Sequence, residues 1–114
     1  MRELADISCV PCSGEAPPLS EIEVRGLHHL VPEWQLFKQD GIQRLTRTFQ
    51  FIVFKLALEF TKALGELADM ESYHPVTLTE YLKTTVTWWT HVINGLHRND
   101  FIMAARADRI FQDW

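Results

Sequence analysis

The stretch from Phe51 to Asp69 contains no proline and a single glycine, Gly65, so it is expected to form a long helix. Stepped at about 100° per residue, Lys55, Glu59, Lys62, Glu66 and Asp69 fall within an arc of about 80°. An arc of about 240° is apolar and carries Ile52, Val53, Phe54, Leu56, Ala57, Leu58, Phe60, Ala63, Leu64, Leu67 and Ala68. A surface helix needs only about 100° facing its core. One sheet cannot cover so wide an arc. In a chain of 114 residues the excess is expected to meet a second copy rather than a deeper core.

The segments on either side of this helix are strand-like. "WQLFKQ", then Asp40-Gly41, then "IQRLTRTFQF" predicts a hairpin, because Asp-Gly suits a two-residue turn. After the helix, "VTLTEY" and "TTVTWWTH" predict two strands rich in threonine, valine and aromatics. Ser20 and Glu23 have capping-box spacing, with Leu19 and Val24 at the staple positions, so a first helix opens at Ser20 and stops at Pro32. "NGLHRND" predicts a turn, with His97 or Asn99 as N-cap of a last helix over about 98–111. The order is helix, two strands, helix, two strands, helix. It predicts an α+β fold: a four-stranded, mainly antiparallel sheet with three helices packed on one face. Residues 1–18 are expected to form an irregular tail, and 19–114 one domain.

Charge and composition exclude several classes. A net charge of −4 and a pI near 5.7 do not give the basic face that nucleic acid or an anionic membrane needs. No apolar run approaches the roughly 20 residues of a membrane span. "MRELADISC" lacks the pattern of a signal peptide, so the expected location is cytoplasmic. Cys9 and Cys12 form a lone CxxC in that tail. A closed zinc site needs four ligands, and a second CxxC is missing. His28 and His29 could supply two ligands, but nothing in the sequence fixes them near the cysteines. No metal site is expected.

The most informative stretch is "ESYHPVTLTEY". If Leu82 and Lys83 form the tip of the second hairpin, Tyr81 lies opposite Thr84. Counting outward, His74 then lies opposite His91, with Cα atoms about 5 Å apart. Pro75 biases His74 toward an extended backbone and removes a ladder hydrogen bond. Asp100 stands at the start of the last helix, where a carboxylate is favoured, and could orient an imidazole. Trp88 and Trp89 face opposite sides of the strand. Two imidazoles at a strand end with a carboxylate nearby suit proton transfer.

These residues carry a resemblance. Asp69, Tyr73-His74-Pro75, Tyr81, His91 and Asp100 stand at the spacing of the pterin-4a-carbinolamine dehydratase motif. "THVINGLHRND" and "FQFIVFKLALEFTKALGELAD" are similar to its second segment and central helix, and the likeness runs from about Trp34 to Ile110. "VTWWTH" and "GLHRNDFIMAARAD" resemble proteobacterial members. The resemblance implies a four-stranded sheet backed by three helices. It also implies a homodimer or homotetramer through the 51–69 helix and the sheet edge. The implied activity is dehydration of 4a-hydroxytetrahydrobiopterin to quinonoid dihydropterin, which recycles the cofactor of aromatic amino-acid hydroxylases. Such a hydroxylase is an implied partner, and no metal or organic cofactor is implied.

By the same resemblance, His74, His91, Tyr73, Asp100 and Asp69 are the implied catalytic set. Tyr73, His74, Pro75, Thr90, His91, Val92 and Ile93 are the implied pterin-binding set. The motif's first histidine is Tyr73 here, and a phenol is a poorer base than an imidazole at neutral pH. Turnover slower than that of a His-His-Pro relative is therefore expected. Two other readings of the chain are a non-catalytic pterin-binding or dimerisation protein of this fold, and a small metal module using Cys9, Cys12 and a histidine.

Overall fold

Asp40 and Gly41 both take left-handed backbone angles, φ 54° and 77°, and close the first hairpin as their sequence demands. The computed structural model describes residues 3–10 and 17–114. In chain order the elements are α1 (Glu21–His28), β1 (Gln35–Gln39), β2 (Ile42–Gln50), α2 (Phe54–Glu71), β3 (Val76–Glu80), β4 (Lys83–Trp88) and α3 (Arg98–Gln112). The strands form one sheet in the order β1-β2-β4-β3, and every neighbouring pair is antiparallel. This is the expected α+β arrangement.

Alternation decides which side of the sheet is covered. Leu45 and Phe49 of β2 and Thr84, Val86 and Trp88 of β4 share one face and are buried. Helices α2 and α3 pack there, and α1 lies against α3. Phe49, Phe51, Phe60 and Phe111 form an aromatic cluster in this core, with ring centroids 4.6–6.0 Å apart. The opposite face carries Thr46–Thr87 and Thr48–Thr85 hydroxyl pairs across the strands.

Helix α2 begins at Phe54, three residues later than expected, with Val53 as N-cap. Its buried stripe is Ala57, Phe60, Leu64 and Ala68. Phe54 and Leu58 stay exposed beside it, so a single chain covers less than the apolar arc offers. Ser20 caps α1 through a full capping box with Glu23, and Val24 is buried as its staple position requires. Ile22, beside them in the first turn, is exposed.

The second hairpin corrects the predicted register. Its ladder runs from Glu80↔Lys83 to Val76↔Thr87, so the turn is Tyr81-Leu82 and the pairing is displaced by two residues. The Lys83 ammonium lies 3.8 Å from the Glu80 carboxylate across that turn, and the Leu82 carbonyl accepts the Phe51 N–H at 2.8 Å. An even displacement keeps every side chain on its predicted face. It removes the direct opposition of His74 and His91.

Residues 3–10 are not shapeless. Leu4–Asp6 form a 3₁₀ turn on α3. Arg106 donates to the carbonyls of Ala5 and Ile7 and pairs with Glu71 at 2.6 Å, joining this segment to the ends of α2 and α3. Among the described residues, no helix is long and apolar enough to cross a membrane.

Candidate active site

Helix α2 ends in a way that exposes one side chain and buries its neighbour. Ser72 takes a left-handed conformation, φ 52°, and the Tyr73 N–H returns to the Ala68 carbonyl at 3.0 Å. The Tyr73 ring stacks on Trp88 inside the domain, centroids 6.1 Å apart at 26°. His74 stands outside, with Nε2 3.0 Å from Asp69 Oδ1. Both partners of that contact are largely exposed.

The facing wall comes from the end of β4. Thr90 and Gly95 make an isolated antiparallel bridge, with the Thr90 N–H donating to the Gly95 carbonyl at 2.8 Å. Between them runs a 3₁₀ turn, His91–Ile93. A Cβ on Gly95 would lie 2.9 Å from the Pro18 Cβ, so only glycine fits without moving the chain entering α1. The turn lifts His91 to the surface and buries Ile93.

A cleft of about 310 Å³ opens between these walls, lined by Tyr73, His74, Trp89, Thr90, His91 and Val92. His74 and His91 thus border one cavity although no ladder pairs them. Of the residues expected to bind a ligand, Pro75 and Ile93 do not line it. Pro75 shapes the chain after His74, and Ile93 anchors the 3₁₀ turn from below. Asp69 reaches the rim through His74.

Asp100 lies beneath the cleft and is fully buried. Tyr73 Oη donates to its Oδ1 at 2.8 Å, Thr90 Oγ1 donates to Oδ2 at 2.8 Å, and the His97 backbone N–H donates to Oδ2 at 2.9 Å. The Tyr73 and Thr90 hydroxyls also touch each other. Burial pushes the Asp100 carboxyl up from 3.8 to about 6, although the bonds from His97, Tyr73 and Thr90 pull the other way. The expected orienting partner for an imidazole is therefore a different carboxylate. Asp69 takes His74, while Asp100 holds the phenol and the threonine. The capping role also holds, since His97 and Asp100 form the capping box of α3.

Two lining features were not predicted. The Thr90 hydroxyl is part of the buried network, a link that only the Thr90–Gly95 bridge reveals. Trp89 packs against His91, two residues further along the same segment, with ring centroids 4.4 Å apart. A larger groove, about 560 Å³, lies between residues 3–7, α1 and α3. Its Arg109 is paired with Glu3 and Asp6, and its Asp108 with Arg47 and Trp34, so those groups already have partners. Burial pushes the Cys9 thiol up, and Cys12 lies outside the described residues. Among the described residues, no group of three or more His, Cys, Asp or Glu side chains could hold a metal ion.

Comparison with known proteins points in one direction. A family model described as pterin 4 alpha carbinolamine dehydratase matches residues 17–110. A protein of Nitrosococcus oceani named "Putative pterin-4-alpha-carbinolamine dehydratase" is 48% identical over 98% of this chain and 99% of its own length. A protein of the same name from Chlorobium luteolum is 49% identical over 99% of each. Among solved structures, a transcriptional coactivator/pterin dehydratase from Brucella melitensis superposes with a TM-score of 0.74 at 31% identity, covering 82% of this chain and 97% of its own. A pterin dehydratase-like protein identified as a RuBisCO assembly factor in the alpha-carboxysome shares the fold, with a TM-score of 0.60 at 19% identity over 69% of this chain and 89% of its own.

Proposed function

Because the chain belongs to the pterin 4 alpha carbinolamine dehydratase family, we propose that it removes water from 4a-hydroxytetrahydrobiopterin to give quinonoid dihydropterin. The observation that carries this reading is the single cleft bordered by His74 and His91. In the reaction the C4a–oxygen bond breaks, the departing hydroxyl takes a proton and leaves as water, N5 loses its proton, and a C4a–N5 double bond forms. One group must give a proton at the oxygen and another must take one at N5. Imidazole does both near neutral pH, and each such contact is typically worth about 10²–10⁴ in rate.

His74 and His91 are the candidate pair. Asp69 orients the His74 ring through the 3.0 Å contact. Tyr73 has a supporting place in this scheme. Its hydrogen lies on Asp100, so while that carboxylate is ionised the phenol offers the cleft an acceptor rather than a donor. When Asp100 takes a proton it can donate in turn, and the phenol is released to face the cleft.

The wider reading is cofactor recycling for aromatic amino-acid hydroxylases, with the pterin as substrate and no separate cofactor. It includes self-association through α2 and a sheet edge, in keeping with exposed Phe54 and Leu58 on α2 and Val76 and Leu78 on the edge strand β3. The test is the decay of enzymatically generated 4a-hydroxytetrahydrobiopterin, followed spectroscopically with and without the protein. Catalytic amounts are expected to speed the decay. An unchanged rate, with pterin still bound, would leave the non-catalytic binding reading in its place.

A further inference from the structure

Trp89 has no part in the scheme above, yet it lines the cleft. Its indole is half-buried and lies against the His91 ring at 43°. Continuing the β2–β4 register by one residue past Leu45↔Trp88 sets Arg44 opposite Trp89, and the Arg44 Cζ lies 4.0 Å from the indole centroid. Continuing the β3–β4 register by two residues past Val76↔Thr87 sets His74 opposite Trp89 from the other side. By register the indole position therefore lies between Arg44 on one neighbouring strand and His74 on the other, with the His91 ring against it from its own segment.

We propose that Trp89 is the wall on which the flat pyrimidinone half of the pterin stacks, and that Arg44 is a positioning residue that holds the indole plane from behind. This rests on the pterin reading of the cleft. A fused heterocycle presents a broad π-face, and the face needs a partner that excludes water without demanding hydrogen bonds. Trp89 is the aromatic side chain lining this cleft whose ring is not already stacked inside the core, as the Tyr73 ring is on Trp88. Arg44 fits the supporting role by its own bonding. Its Nη2 donates to the Gln39 carbonyl at 3.4 Å, while its buried Nε has no hydrogen-bond partner among the described residues. The guanidinium is thus placed by the ring beneath it more than by a full set of acceptors.

The probe is biopterin, titrated calorimetrically into the wild type and four variants whose folding is checked by far-UV circular dichroism. Trp89→Ala is expected to weaken binding by about tenfold to a hundredfold, the range found when a base loses an aromatic platform. Trp89→Phe keeps a π-face and is expected to recover most of that loss. Trp89→Leu keeps apolar bulk alone and is expected to bind as weakly as the alanine variant. Arg44→Met is expected to weaken binding by about two- to fivefold. In the dehydration assay the Trp89 losses should fall on KM more than on kcat. Binding by Trp89→Ala within twofold of wild type overturns the proposal, as does equal binding by the leucine and phenylalanine variants. If the alanine variant does not fold, the leucine–phenylalanine comparison decides alone. A wild type that takes up no biopterin removes the pterin reading together with this inference, whereas wild-type uptake with indifferent Trp89 variants removes the inference only.

Discussion

Asp100 lies under the cleft at 0% exposure and receives three hydrogen bonds, whereas His91 stands exposed at its rim on a short 3₁₀ turn. The floor is thus made of the same material as the core. Tyr73 stacks on Trp88, Thr90 is fixed by the Gly95 bridge, and Asp100 sits in the first turn of α3. The rim is made of side chains with little to hold: His74 and Asp69 are mostly in water, and His91 leans on Trp89. Floor residues should therefore govern stability and the shape of the cleft. Rim residues should govern proton transfer and little else.

The sharpest way to break that division is His91→Ala. A general acid or base at the rim predicts a loss of kcat of at least about tenfold, extending toward 10²–10⁴, with a melting temperature within about 2 °C of wild type. Full activity would remove His91 from the mechanism. A large fall in melting temperature would show that the rim carries structure, and the contrast would fail.

Asp100 gives the complementary test, and its sign is unusual for a carboxylate. Burial holds its folded pKa at about 6, above the ordinary 3.8, so the folded protein keeps a proton that the unfolded chain releases. The stability tied to that proton is fully present below about pH 3.8 and is lost as pH rises through about 6. The gap corresponds to about 3 kcal/mol. Asp100→Asn cannot titrate. Denaturant unfolding at several pH values should show wild type losing ground relative to the variant between pH 4 and about 6.5. Parallel curves would mean that the carboxyl is not held up by its burial.

Tyr73 belongs to the floor but stands where the dehydratase motif that the sequence resembles has a histidine. Tyr73→His exchanges the phenol for an imidazole beside the cleft and is expected to raise kcat by about tenfold or less. Steady-state rates at saturating pterin measure it, and an unchanged or lower kcat would show that the tyrosine is no handicap.

The division also explains what the sequence revealed. Element order, capping at Ser20, the Asp40-Gly41 turn and the strand faces follow from local chemistry and were all legible. The hairpin register was not, because Tyr81-Leu82 carries none of the usual turn residues. The signal that could have placed it was the Glu80–Lys83 charge pair across the tip. His74 and His91 still border one cleft despite this error, since an even displacement leaves faces intact and both walls converge at the helix–strand junction. The Asp100 network was misassigned for a physical reason. Which carboxylate meets which donor depends on the left-handed Ser72 that folds Tyr73 inward, and no spacing rule predicts a left-handed serine.

Asp69 supplies the smallest and most discriminating test. Its contact with His74 is an exposed pair on α2 and the chain just beyond it, a class of interaction worth little in stability. If the rim is as loosely built as its exposure implies, Asp69→Asn should leave the melting temperature within about 1 °C and lower kcat by less than about threefold, since an amide oxygen can still accept from the imidazole. Suppose instead that the loss approached that of His91→Ala while stability stayed level. The 3.0 Å contact would then fix the ring position or tautomer that the reaction requires, and the rim would be preorganised by charge as the floor is by burial. Comparing the pH–rate profiles of Asp69→Asn and wild type separates the cases. A carboxylate that only steadies the ring leaves the profile's midpoint in place, and one that tunes the imidazole moves it.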